Sequence, residues 1–168
     1  MSTEQDPVKN IGVPLGEADY VFLLPNKPIL PLKSMEKGLV AEYVSELINL
    51  NGNHWRKILT IMSKLTVPKL ENWRQWRNEM LSDNVTIIFD AEQLKLITGT
   101  TFIVGNGFRD EIVIADEAIT LGQRHVAFLT PNYIWCPYLD YRQFPNVLID
   151  ELRHSINNNI PENACFKP

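Results

Sequence analysis

The near-continuous apolar run Asp19-Tyr-Val-Phe-Leu-Leu24 constrains the fold of this chain more than any other feature. A strand without alternation between apolar and polar residues is buried on both faces, the habit of parallel sheets rather than of solvent-facing antiparallel ones. Pro25 stops the run. The segment Pro25-Asn-Lys-Pro-Ile-Leu-Pro31 cannot be helical, because each proline lacks an N–H and biases its predecessor out of the α region. A rigid loop therefore leaves the C-terminal end of a buried strand. His125-Val-Ala-Phe-Leu-Thr130 repeats the pattern as a strand that ends at Pro131.

Helical spacing fills much of the rest. Ser34 is the expected N-cap of a helix over 34–50, where Leu39, Val40, Tyr43, Val44, Leu47 and Ile48 share a face until Asn51-Gly52 ends it. A second helix over 54–65 carries Trp55, Ile58, Leu59, Met62 and Leu65 as its stripe, and a third over 68–81 carries Leu70, Trp73, Arg77, Met80 and Leu81. The tryptophans read as packing anchors, and Trp76, off the third stripe, as a half-exposed residue without function. Val85-Thr-Ile-Ile-Phe89 is the next strand. Beyond it, either 94–98 is a strand that hands over at Gly99 to a short helix through Gly107, or 100–104 is the strand. β-Branched propensity favours the second and strand-glycine-helix order the first, and a strand over 94–98 is the expectation. A short helix over 115–121 and a last helix after Pro145, with Leu148, Ile149, Leu152 and Ile156 on one face, complete the set. Alternating strands and helices predict an α/β domain of three layers, a mainly parallel sheet with helices on both faces. It spans 19–160, between an extended N-terminal arm over 1–18 and a C-terminal tail over 161–168.

A chain of 168 residues is long enough to remove roughly 70% of its unfolded surface from water. Its 45% hydrophobic and 21% charged residues exclude a disordered chain. Cys136 and Cys165 form no Cys-x-x-Cys pair and have no histidine at ligand spacing, so a structural zinc site is not expected; no metal or other cofactor is expected either. The N-terminus is polar and acidic, unlike a secretory signal, and no apolar run nears the roughly 18 residues of a membrane span. A cytoplasmic protein with free thiols and no membrane partner is the expectation. The net charge of −4 weighs against nucleic acid as a partner. Residues 51–80 depart from that balance, since Arg56, Lys57, Lys64, Lys69, Arg74 and Arg77 against Glu71 and Glu79 give this third +4 and the remainder −8. The stretch is read as a solvated helical face ahead of a nucleic-acid patch.

In open parallel sheets, ligands bind beyond the carboxyl ends of the strands. Two loops are expected there, 25–31 and 131–145, and the second holds five aromatic residues and three prolines. Long loops without regular structure are functional or disordered, and this one is too aromatic for disorder. Within it Tyr138, Asp140, Tyr141, Arg142 and Gln143 offer an acceptor, a forked cationic donor, an amide and two stacking faces, a set suited to a small planar, polar ligand. The bland alternative is that Asp140 and Arg142 pair with neighbouring charges or cap the helix while the aromatics wrap the core's edge. Asp140 is the best candidate for acid–base work, but no second carboxylate stands beside it. Gly105-Asn-Gly107 lacks phosphate-loop spacing, no Gly-x-Ser-x-Gly elbow occurs, and His54, His125 and His154 are scattered. Cys136, between Trp135 and Pro137, reads as a buried, inert thiol.

The layout of Leu24-Pro-Asn26-Lys-Pro28, a strand reaching Gly99, and Phe128-Leu-Thr-Pro-Asn132 before an irregular loop resembles the uracil-DNA glycosylase-like fold. That resemblance implies a first motif at Asn26, whose side chain would position water, and a second over 132–144 that would grip DNA. The sequence departs from the family in lacking its histidine-proline-serine run and first-motif glycine. The chain also looks like a member of an uncharacterised bacterial family, a resemblance that brings no activity with it. The functional expectation is a domain that binds a small ligand or a protein partner through 131–145, with Asn26 and Asn132 added to the site. The alternative is a glycosylase-like hydrolase acting on a nucleobase or nucleotide.

Overall fold

The structure, a computed structural model, describes residues 10–32, 35, 36 and 38–158. Ser34, Cys165, the first half of the arm and the tail lie outside the described residues. The elements run β1 (Asn10–Gly12), β2 (Tyr20–Leu23), α1 (Val40–Asn51), α2 (Asn53–Thr66), α3 (Trp73–Arg77), β3 (Val85–Ile88), β4 (Thr100–Val104), β5 (Ile119–Gly122), β6 (Val126–Leu129), β7 (Tyr133–Cys136) and α4 (Asn146–Asn158).

Among the described residues one seven-stranded sheet has the order β1-β3-β2-β4-β7-β6-β5. The inner strands β3, β2, β4 and β7 pair in parallel, with Tyr20 opposite both Val85 and Thr100, and Val104 opposite Cys136. Antiparallel strands close both edges, β1 on β3 and the β6–β5 hairpin on β7. The sheet is therefore mixed around a parallel core. The described part of the N-terminal arm is extended and joins it as β1, where Asn10 Nδ2 donates to Thr86 Oγ1 at 3.0 Å.

Successive residues of the core strands point to opposite faces, as the two-residue period of a strand requires. Phe22, Phe102, Ile134 and Cys136 face one cluster, and Val21, Leu23, Ile103 and Trp135 the other. Phe22 and Phe102 stack across adjacent strands, ring centroids 4.5 Å apart. The α-helices bury their residues in the first cluster, with Leu47, Ile58, Leu152 and the half-buried Trp76 among them. On the second face the cover is irregular. A 3-10 turn over Ala91–Leu96 and the segment containing Phe108, Ile112 and Ile114 pack there, and Trp135 Nε1 donates to the Ile112 carbonyl at 2.8 Å. Helices on both faces, as the sequence predicts, are not what covers the described sheet.

Several expected elements change character. The strand is 100–104 and not 94–98: the β-branched run pairs on both sides as the central β4, while 91–96 curls into the 3-10 turn that Asp90 caps through its carboxylate. Gly99 allows that entry, since any Cβ there would strike the backbone carbonyls of Ala18 and Asp19. No short helix follows to Gly107. The helix expected over 115–121 is instead β5, which Gly122 turns into the hairpin at φ +93°. The first helix begins at Val40, and the third shrinks to Trp73–Arg77 between 3-10 turns. Only Met80 and Leu81 of 68–81 are buried, so no apolar stripe supports a longer helix there. The expected loop 131–145 is half strand. Pro131 and Asn132 make the β6–β7 turn, β7 is buried at Ile134, Trp135 and Cys136, and only 137–145 is irregular.

Candidate functional site

Because β2, β3, β4 and β7 are parallel, the segments after them leave from one edge of the sheet. The α1–α2 corner lies over that edge and ties two of them together. Asn51 Oδ1 accepts from the Ile29 N–H at 2.8 Å, and its Nδ2 donates to the Ile29 carbonyl at 2.9 Å, so the 25–31 loop is held like a strand partner. Three residues on, His54 Nε2 shares a hydrogen bond of 2.8 Å with the Tyr138 hydroxyl. One further turn along α2, Lys57 Nζ stands 3.8 Å from Asp140 Oδ2. The proline-rich loop after β2 and the aromatic loop after β7 thus meet at residues 51–57.

Residues 137–145 are shaped by their own hydrogen bonds. The Gln143 and Phe144 N–H groups both donate to the Asp140 carbonyl, at 2.8 and 2.7 Å, and the Arg142 N–H donates to Asp140 Oδ1 at 3.0 Å. Leu139 and Phe144 are fully buried and anchor the turn, which leaves Tyr138 and Tyr141 half-buried and Arg142 and Gln143 exposed. Pro145 then starts α4, its carbonyl accepting from the Leu148 and Ile149 N–H groups.

Asp140 is the electrostatic centre of the loop. The Arg142 N–H holds its carboxyl below the usual carboxylate range, burial opposes, and the charges of Lys57 and Arg142 reinforce the drop. A carboxylate so engaged is an acceptor and a weak base, with its side chain only 16% exposed. Tyr138 moves the other way, its phenol raised by burial and then by the Asp140 charge. Arg142 reaches Asp140 only at 3.6 Å and is 87% exposed, so its guanidinium keeps donors for a ligand.

Asn26 is exposed on the turn after β2, at the same edge. Its neighbour Lys27 lines a cleft of about 620 Å³ with Phe89, Asp90, Glu92 and Gln93. That cleft lies towards β3 and does not include 137–145. Asn132 is elsewhere. Its carbonyl accepts from the Thr101 N–H at 2.9 Å, at the N-terminal end of β4, and the length of β7, roughly 13 Å, separates it from Tyr138. The structure therefore gathers Tyr138, Asp140, Tyr141, Arg142 and Gln143 in one turn, keeps Asn26 on the same edge, and puts Asn132 on the opposite one.

His54, Lys57 and Asn51 join the site although none of them is among the site residues expected from the sequence. Their spacing shows only that His54 and Lys57 share a helical face. Among the described residues no group of three or more His, Cys, Asp or Glu could hold a metal ion. Cys136 is a free, fully buried thiol, and burial pushes its pKa far up. Among the described residues no helix is long and apolar enough to cross a membrane.

The protein is an α/β domain whose mixed sheet gathers polar and aromatic side chains beyond its parallel strands. Residues 11–157 match the model of a family of unknown function, DUF6942, and the chain belongs to that family. Comparison with curated proteins gives no match, and comparison with solved structures gives none either.

Proposed function

We propose that this domain binds a small planar, polar ligand at the corner formed by 137–145 and the first turn of α2. The observation that carries the reading is the 2.8 Å contact between His54 and Tyr138, which joins the aromatic loop to the helix start at the C-terminal edge of the parallel core. Tyr138 and Tyr141 supply partly exposed rings, Gln143 an amide, and Arg142 a forked donor for a carboxylate or phosphate on the ligand. The positive end of the α2 dipole adds to the attraction for such a group. Asp140 serves this site by shaping the turn.

A thermal-shift panel of aromatic carboxylates, nucleobases and nucleotides tests the reading. Ligand at 100 times its dissociation constant stabilises by about 2.7 kcal/mol, which in a domain of this size raises the midpoint by roughly 5–10 °C. Tyr138→Ala and Arg142→Ala should each abolish the shift. A panel without any shift, or a shift that survives both substitutions, would overturn the proposal.

A second reading is a glycosylase-like hydrolase, for which the meeting of the Asn26 loop with 137–145 on one sheet edge is the favouring observation. The placement of Asn132 on the opposite edge counts against it. Incubation with oligonucleotides carrying damaged bases decides between the two, since base release that Asn26→Ala removes belongs to this reading alone.

A further inference from the structure

Along α2 and α3 cations gather without a salt-bridge partner among the described residues. Arg56, Lys64, Arg74 and Arg77 form no ion pair among the described residues. Their partners are neutral: Arg56 donates to Asn53 Oδ1 at 2.6 Å, Lys64 to Asn146 Oδ1 at 3.3 Å, and Arg77 to Thr60 Oγ1 at 2.8 Å. The Trp73 ring is the hub, with Arg74 at 4.6 Å, Lys64 at 5.0 Å and Arg77 at 5.6 Å from its centroid. Lys64 also stands 5.1 Å from the Tyr141 ring. Arg77 Nε is buried without a hydrogen-bond partner, and burial, with the charges of Arg56 and Arg74, lowers its pKa. The fold thus holds like charges together on amide, hydroxyl and π partners, in a chain whose net charge is −4.

We propose that this α2–α3 face binds a single strand of nucleic acid, with its phosphates on Arg56, Lys64, Arg74 and Arg77. Cations interleaved with half-exposed aromatic rings fit a ligand that presents phosphates and unstacked bases together. An acidic peptide offers only the charge. A cleft of about 280 Å³ between α2, α3 and α4 supports the choice, since it is lined by the planar Trp73 ring and the apolar Leu70 and Ile149 beside Lys64, Asn146 and Asp150. Asp150 would repel a phosphate there but accept from the N–H edge of a base, so the cleft suits the base and the surrounding cations the backbone. A duplex, whose bases stay stacked, lacks the first of these contacts. The face adjoins the corner of His54 and Tyr138 at Arg56, in the first turn of α2, and at Tyr141, and its other cations lie farther along α2 and on α3.

The test uses the full chain and fluorescence anisotropy with labelled 20-nucleotide dT and rU strands, the matching duplex, and polyglutamate. Both single strands, or one of them, should bind at about 50 mM salt, and log affinity should fall against log salt with a slope of about −3 for four phosphates. The triple variant Arg56→Gln, Lys64→Gln, Arg74→Gln should weaken binding about tenfold or more and flatten the slope by about 2. Its thermal midpoint reports that it is folded, and Tyr138→Ala, which tests the edge corner, should bind strands as before. Absence of binding at low salt, an unchanged slope in the folded triple variant, or duplex or polyglutamate binding as tight as the single strand would each overturn the proposal.

Discussion

At Asp140 a single carboxylate shapes the turn and anchors it to α2. Its Oδ1 accepts from the Arg142 N–H and its Oδ2 faces Lys57. Asp140→Ala should cost about 1–2 kcal/mol, comparable with loss of a helix cap, and lower the thermal midpoint by roughly 3–6 °C. Asp140→Asn keeps the Oδ1 acceptor and should lose less than half as much. The pH dependence follows from the lowered pKa. Its contribution is complete above the unfolded value of about 3.9 and disappears as pH falls through the lower folded value. Midpoints measured from pH 7 to pH 3 should therefore converge for wild type and Asp140→Asn only at the acid end. A constant gap down to the lowest pH would show that the charge is irrelevant. Residues of this turn were legible in sequence because prolines and aromatics crowd one short stretch. His54 and Lys57 were not, because their partners are more than eighty positions away and helical spacing does not say what a face meets.

Among the elements, α2 was the most legible. Its stripe of Trp55, Ile58, Leu59, Met62 and Leu65 is buried as the spacing predicts, because amphipathic periodicity and tertiary packing ask for the same residues. Its C-terminal end depends on something local pattern cannot supply. Arg153 on α4 donates to the Lys64 and Val67 carbonyls at 2.8 and 2.7 Å, and to that of Pro68 at 3.3 Å. Arg153→Met keeps most of the volume but strands those acceptors, and should cost about 2 kcal/mol in chemical denaturation. A change under about 0.5 kcal/mol would mean that water replaces the guanidinium. The elements that sequence misjudged are short. β5 and β7 have four residues each, too few for period to distinguish strand from turn, and β7 hides between two prolines. At β4 the β-branched run Thr100–Val104 outweighs the strand-glycine-helix order, because it pairs with a parallel neighbour on each side.

For the whole molecule, the α/β class and the buried first strand were readable from apolar runs, whereas the nature of each layer was not. Helices cover one face, and a 3-10 turn with an irregular segment covers the other. The indole of Trp135 ties that segment down through the Ile112 carbonyl. Trp135→Phe should therefore speed amide exchange across 107–118 while α2 and α4 stay protected. Uniform acceleration everywhere would place the anchor's effect in global stability instead. The strand order has a consequence in time as well. Residues 119–136 form a contiguous three-strand meander, while joining β2 to β3 must bring residue 20 to residue 85. Closing that long loop before any pairing rewards it is slow, so the meander is the natural nucleus, and assembly of the parallel strands the late step. Stopped-flow traces should show Phe128→Ala retarding refolding and Ile87→Val mainly hastening unfolding.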